Sequence, residues 1–127
     1  MRKKMITVAA TLLLLDLLSM VEQLSVERLT SEAMEKTQEI LFLLAQNEPE
    51  QGLERARAMD AWWDEEAPNA EMIINHAATD DVRFTLSRLI AALEMGDRDD
   101  AFVYANELEG NIEHVLERQE LSWQNLL

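Results

Sequence analysis

The sequence predicts an all-α protein, an N-terminal transmembrane helix continuing into a small antiparallel helical bundle. Three observations carry this. An apolar run, Met5 to Val21, follows directly on Arg2, Lys3 and Lys4. No Gly or Pro occurs between Met1 and Glu48, so nothing in that stretch stops a helix locally. Beyond it, apolar residues recur at steps of three and four, broken only around Pro49, Pro68 and Gly96. The chain therefore divides into residues 1–21, a signal-anchor helix, and residues 22–127, an acidic helical domain.

As a helix, Met5 to Val21 is about 25 Å long, at the short end of what crosses a bilayer. Asp16 is its awkward member, because a carboxylate at the bilayer centre costs about 2.5–3.5 kcal/mol. It lies about one turn from the far end of the run, within reach of headgroups or a partner helix. A secretory signal peptide shares the basic start and apolar stretch, and would release a secreted domain. The exit region Leu17 to Glu22 offers no pair of small residues for cleavage, so an uncleaved anchor is expected. A surface-lying helix fits poorly, since apolar residues surround the run on every side. Only Arg28 and Lys36 follow closely after it, which places the N-terminus in the cytoplasm and the domain outside the cell membrane.

Past the run, Val26, Leu29, Ala33, Thr37, Ile40 and Leu44 form a heptad-like stripe, with Glu22, Glu27, Glu32, Glu35 and Glu39 on the acidic side. Ile40 to Ala45 is apolar on nearly all sides and is expected to be enclosed by the domain. Asn47 is placed to cap a second helix, with Pro49 in its first turn and Glu50 as in a capping box. That helix runs to about Glu66, with Leu53, Ala56, Met59 or Asp60, and Trp63 on its apolar face. Trp62 points about 100° from Trp63, so one tryptophan belongs in the core and the other over a seam. Pro68 precedes a third helix with Met72, Val82, Leu86, Leu89 and Leu93 on one face, Ile73 and Ile90 beside it, and His76 and Thr79 completing the spacing. It is read as one helix, although Thr79 to Asp81 are also good caps, and Gly96 ends it. Asp97 caps a fourth helix in which Ala101, Ala105, Leu108, Ile112 and Val115 share a face, ending near Glu120. Gly96-Asp97 makes the last two helices an antiparallel hairpin.

The chemistry is thin. With 25 acidic and 11 basic residues the formal net charge is −14, and removing the basic start leaves a still more acidic domain that repels nucleic acid and anionic headgroups. The absence of cysteine excludes disulfides, thiolate metal sites and thiol catalysis. His76 with Asp80 and His114 with Glu117 stand at metal-compatible spacing on helices, but no Glu-x-x-His pair for a di-iron bundle is present. There is no phosphate loop, nucleophile elbow or His-Glu-x-x-His motif. No enzymatic activity, cofactor or metal is expected.

The layout nevertheless resembles a known family. A basic start and single span, the pair Trp62-Trp63, the segment Ile73-Ile-Asn-His76, the terse Gly96-Asp97 connection into an alanine-containing helix, and the Leu-Ser-x-x-Asn-Leu-Leu stretch from Leu121 to Leu127 are similar to small bacterial membrane proteins. These form the domain of unknown function four-three-six-three, found largely in spore-forming, Gram-positive-type bacteria. The resemblance covers nearly the whole chain. It implies no activity or site residues, but a genetic neighbourhood with another small multi-span membrane protein, and hence a membrane complex. The candidate interaction residues are Asp16, Trp62, Trp63 and His76. The expected role is that of an accessory subunit with the bilayer and a membrane or envelope protein as partners. A tetratricopeptide-like peptide-binding hairpin and an acidic divalent-cation sensor are the alternatives.

Overall fold

The computed structural model describes residues 1–70 and 76–126, in four helices: α1 (Arg2–Ala45), α2 (Pro49–Ala70), α3 (His76–Glu94) and α4 (Arg98–Leu126). Each packs on its neighbours in a closed ring: α1 on α2, α2 on α3, α3 on α4, and α4 back on α1. This is an up-down-up-down four-helix bundle, as the hydrophobic spacing predicts.

Helix α1 is continuous over 44 residues, about 66 Å at the usual rise. Its first half stands clear of the rest of the chain, and Ile6, Val8, Leu12 to Leu15, Leu17, Leu18, Met20 and Val21 are all exposed. From Val26 onward the stripe Val26, Leu29, Ala33, Thr37, Ile40 and Leu44 is buried as expected, joined by Thr30. The expected enclosure of Ile40 to Ala45 is corrected. Only Ile40 and Leu44 are buried, while Phe42 is 61% exposed. A helix in a four-membered ring has neighbours on one side only, so an all-round apolar segment keeps an outward face.

The two hairpin loops share one device. At the end of α1, Asn47 takes φ 60°, the Glu48 amide donates to the Leu43 carbonyl (2.9 Å) and the Asn47 amide to that of Leu44 (3.1 Å). At the end of α3, Gly96 takes φ 73°, with Asp97 donating to Ala92 (2.9 Å) and Gly96 to Leu93 (3.2 Å). Both are Schellman closures, which satisfy carbonyls the helix end leaves open. Asn47 therefore terminates α1 and does not cap α2, a correction to the sequence reading. Its side chain accepts from Arg98 Nη1 at 2.8 Å, while Nη2 reaches the Leu44 carbonyl at 3.4 Å, tying the loops together. Asp97 does cap α4, its Oδ1 accepting from the Asp100 amide at 3.1 Å.

Helix α2 passes the expected stop at Glu66 and includes Pro68. A proline forfeits one helical hydrogen bond, but here only in the last turn, and the fully buried Ala67 holds that turn against the core. Helix α3 is unbroken at Thr79 to Asp81. Met72 and Ile73 lie outside the described residues, and His76 is exposed and so does not extend the apolar face, whereas Thr79 is buried. Helix α4 passes its expected end at Glu120 and reaches Leu126, because no glycine or proline follows Gly110 to stop it. All five residues assigned to its inner face are buried.

Among the described residues the core is aliphatic apart from Met59, Trp63 and four threonines. Thr30 and Thr37 donate to the carbonyls of Val26 and Ala33, Thr79 to that of His76, and Thr85 accepts from Asn111 Nδ2 at 2.6 Å. The buried hydroxyls thus stay hydrogen-bonded, as interiors require.

Candidate functional site

The described residues present three surfaces where side chains gather at a helix seam. The first is a groove of about 430 Å³ between α1 and α4, where they pack with their chains running in opposite directions. Thr30, Met34, Ile112 and Leu116 make its floor, and Glu27, Glu35 and Glu113 stand around it with no basic residue among the lining. Sequence reading missed it. Met34 and Leu116 are apolar residues just off the heptad stripes of their helices, and only the pairing of α1 with α4 turns them towards each other.

The second surface is the seam of α1 and α2. Trp63 is fully buried, as one of the two tryptophans was expected to be, and its ring centre lies 6.2 Å from that of Trp62 at a 53° tilt. Trp62 is half-buried over the seam, beside Leu29, Glu32, Glu66 and Asn69. The Lys36 ammonium sits 5.1 Å from the Trp62 ring centre, a cation–π contact that uses the negative face of the indole. Trp63 Nε1 is buried without a hydrogen-bond partner among the described residues. Trp62 is thus the member of the pair that another molecule can touch.

The third is polar. On the α2–α3 seam, Arg83 reaches Asp64 at 3.2 Å and Asp80 at 3.7 Å. Asp60, one turn before Asp64, has its carboxyl held above the ordinary carboxylate value, first by burial, then by the charge of Asp64, against the attraction of Arg83. A carboxyl raised in the fold favours the protonated form there, so ionised Asp60 subtracts stability at neutral pH. That loss is recovered as pH falls through the raised value. Asp60→Asn should therefore raise the melting temperature in detergent at pH 7, and the gain should vanish below about pH 3.9, where Asp is protonated folded or unfolded. A gain unchanged across that range would assign the effect to packing instead.

The remaining sequence candidates stay apart. His76 is exposed at the start of α3. His114 Nδ1 lies 3.6 Å from Glu117 Oε2 on the exposed side of α4. Among the described residues no three His, Cys, Asp or Glu side chains come together in a way that would hold a metal ion. Asp16 is exposed on the free half of α1, far along the helix from both tryptophans. The structure thus unites Trp62 with Trp63 but brings neither Asp16 nor His76 to them.

Helix α1 is long and apolar enough to cross a membrane, and the most apolar stretch is wholly uncovered by the rest of the chain. No curated protein and no solved structure matches the sequence. A family model does match, over residues 20–126, which takes in the end of the apolar run and the whole bundle. The resemblance drawn from the Trp-Trp pair, the Gly-Asp connection and the Leu-Ser-x-x-Asn-Leu-Leu stretch holds: the chain belongs to the family described as Domain of unknown function (DUF4363).

Proposed function

We propose that this protein is a membrane-anchored accessory subunit that works by protein contact, with Met5 to Val21 in the bilayer and the bundle on the outer side. One observation carries the reading: a single uninterrupted helix supplies both an uncovered apolar rod and one wall of the bundle. In water such a rod exposes far more contiguous apolar surface than soluble monomers tolerate, and a bilayer covers it. Arg2, Lys3 and Lys4 before the rod favour a cytoplasmic N-terminus. The α1–α4 groove, with an apolar floor and carboxylates around it, suits a partner segment with an apolar face and basic flanks. The closed ring of helices favours this reading over a tetratricopeptide-like module, because α4 packing on α1 leaves no open concave face between stacked hairpins.

Protease added to intact protoplasts tests the topology. The full-length chain should be found in the membrane pellet, and the protease should remove everything after the span. A mature chain beginning near Glu22 in the medium would show cleavage and overturn the anchor. Asp16 adds a second readout, since a lone carboxyl within an apolar span is costly unless it has a partner. Asp16→Leu should leave the chain in the membrane but lose a co-purifying multi-span protein. An unchanged partner set at matched expression removes Asp16 from the interface.

A further inference from the structure

We infer that the outer face of α3 binds a second copy of this chain, the two α3 helices running antiparallel about Phe84. The inner face of α3 is turned to the core through Val82, Leu86, Leu89 and Leu93. The opposite face carries a second series at heptad spacing, Ala77, Phe84 and Ala91, all exposed. Phe84 is 64% exposed, and the alanines one heptad to either side leave its ring standing between two low places. A helix with one apolar stripe in the core and a second at heptad spacing outside has a seam for one more helix. In a pair of copies the two Phe84 rings meet at the twofold axis, as an isologous contact requires, and the alanines let the backbones approach closely.

Charge decides both the occupant and its direction. Arg28, Arg55, Arg57 and Arg83 each hold a carboxylate of this chain. Among the described residues Arg88 holds none, and no cation holds Asp81. The two do not reach each other on one helix, being about 10 Å apart along its axis. At 100° per residue both lie on the side of Phe84 from which Thr85 meets Asn111 of α4, Arg88 about 40° and Asp81 about 60° away. An antiparallel pair about Phe84 brings Arg88 of each copy level with Asp81 of the other on that same side, and Ala77 level with Ala91. Asp80, on the other side, comes level with Ser87. A parallel pair would instead set Asp81 against Asp80 of the second copy, like charges facing in an already acidic chain. Helices α1 and α3 run in the same direction in the ring. On the anchor reading the two spans therefore leave the antiparallel pair at opposite ends, and the pair joins two facing bilayers.

The chain has no cysteine, so cross-linking by disulfide is direct. Full-length protein in dodecyl maltoside carries Ala77→Cys in one tagged preparation and Ala91→Cys in another, and each is oxidised alone and after mixing. The mixture should form a disulfide between the two, since facing small residues on packed helices fall within disulfide reach, and neither variant should link to itself. Asp81→Arg and Arg88→Asp should each weaken the pair at least about tenfold, because like charges then face each other twice, and the double variant should restore it. Phe84→Glu should give monomers with unchanged circular dichroism. Self-linking of Ala77→Cys would show a parallel pair and overturn the inference, as would a mixture that does not link or a double variant that does not recover. Proteoliposomes of phosphatidylcholine test the facing bilayers: light scattering should show them clustering with the unsubstituted chain and staying apart with Phe84→Glu. Vesicles that float with their protein yet never cluster would overturn the bilayer joining. Protein that fails to float with vesicles but cross-links in detergent would overturn the anchor and leave the pairing standing.

Discussion

Leu108→Ala is expected to lower the stability of the bundle by about 2–5 kcal/mol, the range for removing a large aliphatic side chain from a packed core. Leu108 is fully buried on the inner face of α4, between Ala105 and Ile112. Ala105, one turn away, has no rotamer with which to fill a void, so the cost should not fall at the bottom of that range. Glu107→Ala, one position away on the exposed face, should change stability by less than about 0.5 kcal/mol. Denaturant unfolding of both variants in detergent, followed by far-ultraviolet circular dichroism, measures the difference. Equal midpoints would mean that α4 does not present the face described.

The second large effect is at Trp63, the largest fully buried side chain. Trp63→Ala should cost about 3–5 kcal/mol. Trp63→Phe should cost much less, because the indole N–H makes no hydrogen bond among the described residues and an unpaired buried donor already carries a penalty of about 1–3 kcal/mol that phenylalanine lacks. What remains is lost ring volume. Trp62→Ala loses a half-buried ring and the Lys36 contact, the latter worth about 0.5–1 kcal/mol where exposed. If Trp63→Phe proved as damaging as Trp63→Ala, the indole N–H must have a partner that stabilises the fold.

Where burial is periodic, the sequence was a reliable guide. Val26 to Leu44 on α1, Val82 to Leu93 on α3 and Ala101 to Val115 on α4 were legible because a helix facing a core must repeat its apolar residues every three or four positions. The continuity of α1 was legible because nothing between Met1 and Glu48 breaks a helix. Helix ends were less so. Asn47 reads equally as an N-cap or as a left-handed terminator, and the choice depends on hydrogen bonds to Leu43 and Leu44 that spacing does not reveal. Pro68 is a stop signal locally, yet burial of Ala67 outweighs it. The outward position of Phe42 and the groove between Met34 and Leu116 were hidden for another reason. They depend on which helices are neighbours in the ring, a property of the assembled bundle that no single helix encodes. Of the candidate contact residues, the inner and outer tryptophans could be anticipated from their 100° separation, whereas the solvent-facing position of His76 could not.

The unbroken α1 also fixes a direction. Counting by sevens from Asp16 reaches Gln23, Thr30, Thr37 and Leu44, of which the last three are buried in the bundle. An α-helix drifts about 20° per heptad, so Asp16 stays within about 40° of the azimuth of Thr30. With no loop between span and bundle to act as a swivel, the Asp16 carboxyl points beneath the bundle's own core and not out to its flank. On the proposed anchor reading, a transmembrane helix that meets Asp16 would rise under α2, α3 and α4, stacking end-on below them. The complex formed would be a column, with the bundle as its cap, and its width in the membrane plane would be set by the bundle's cross-section.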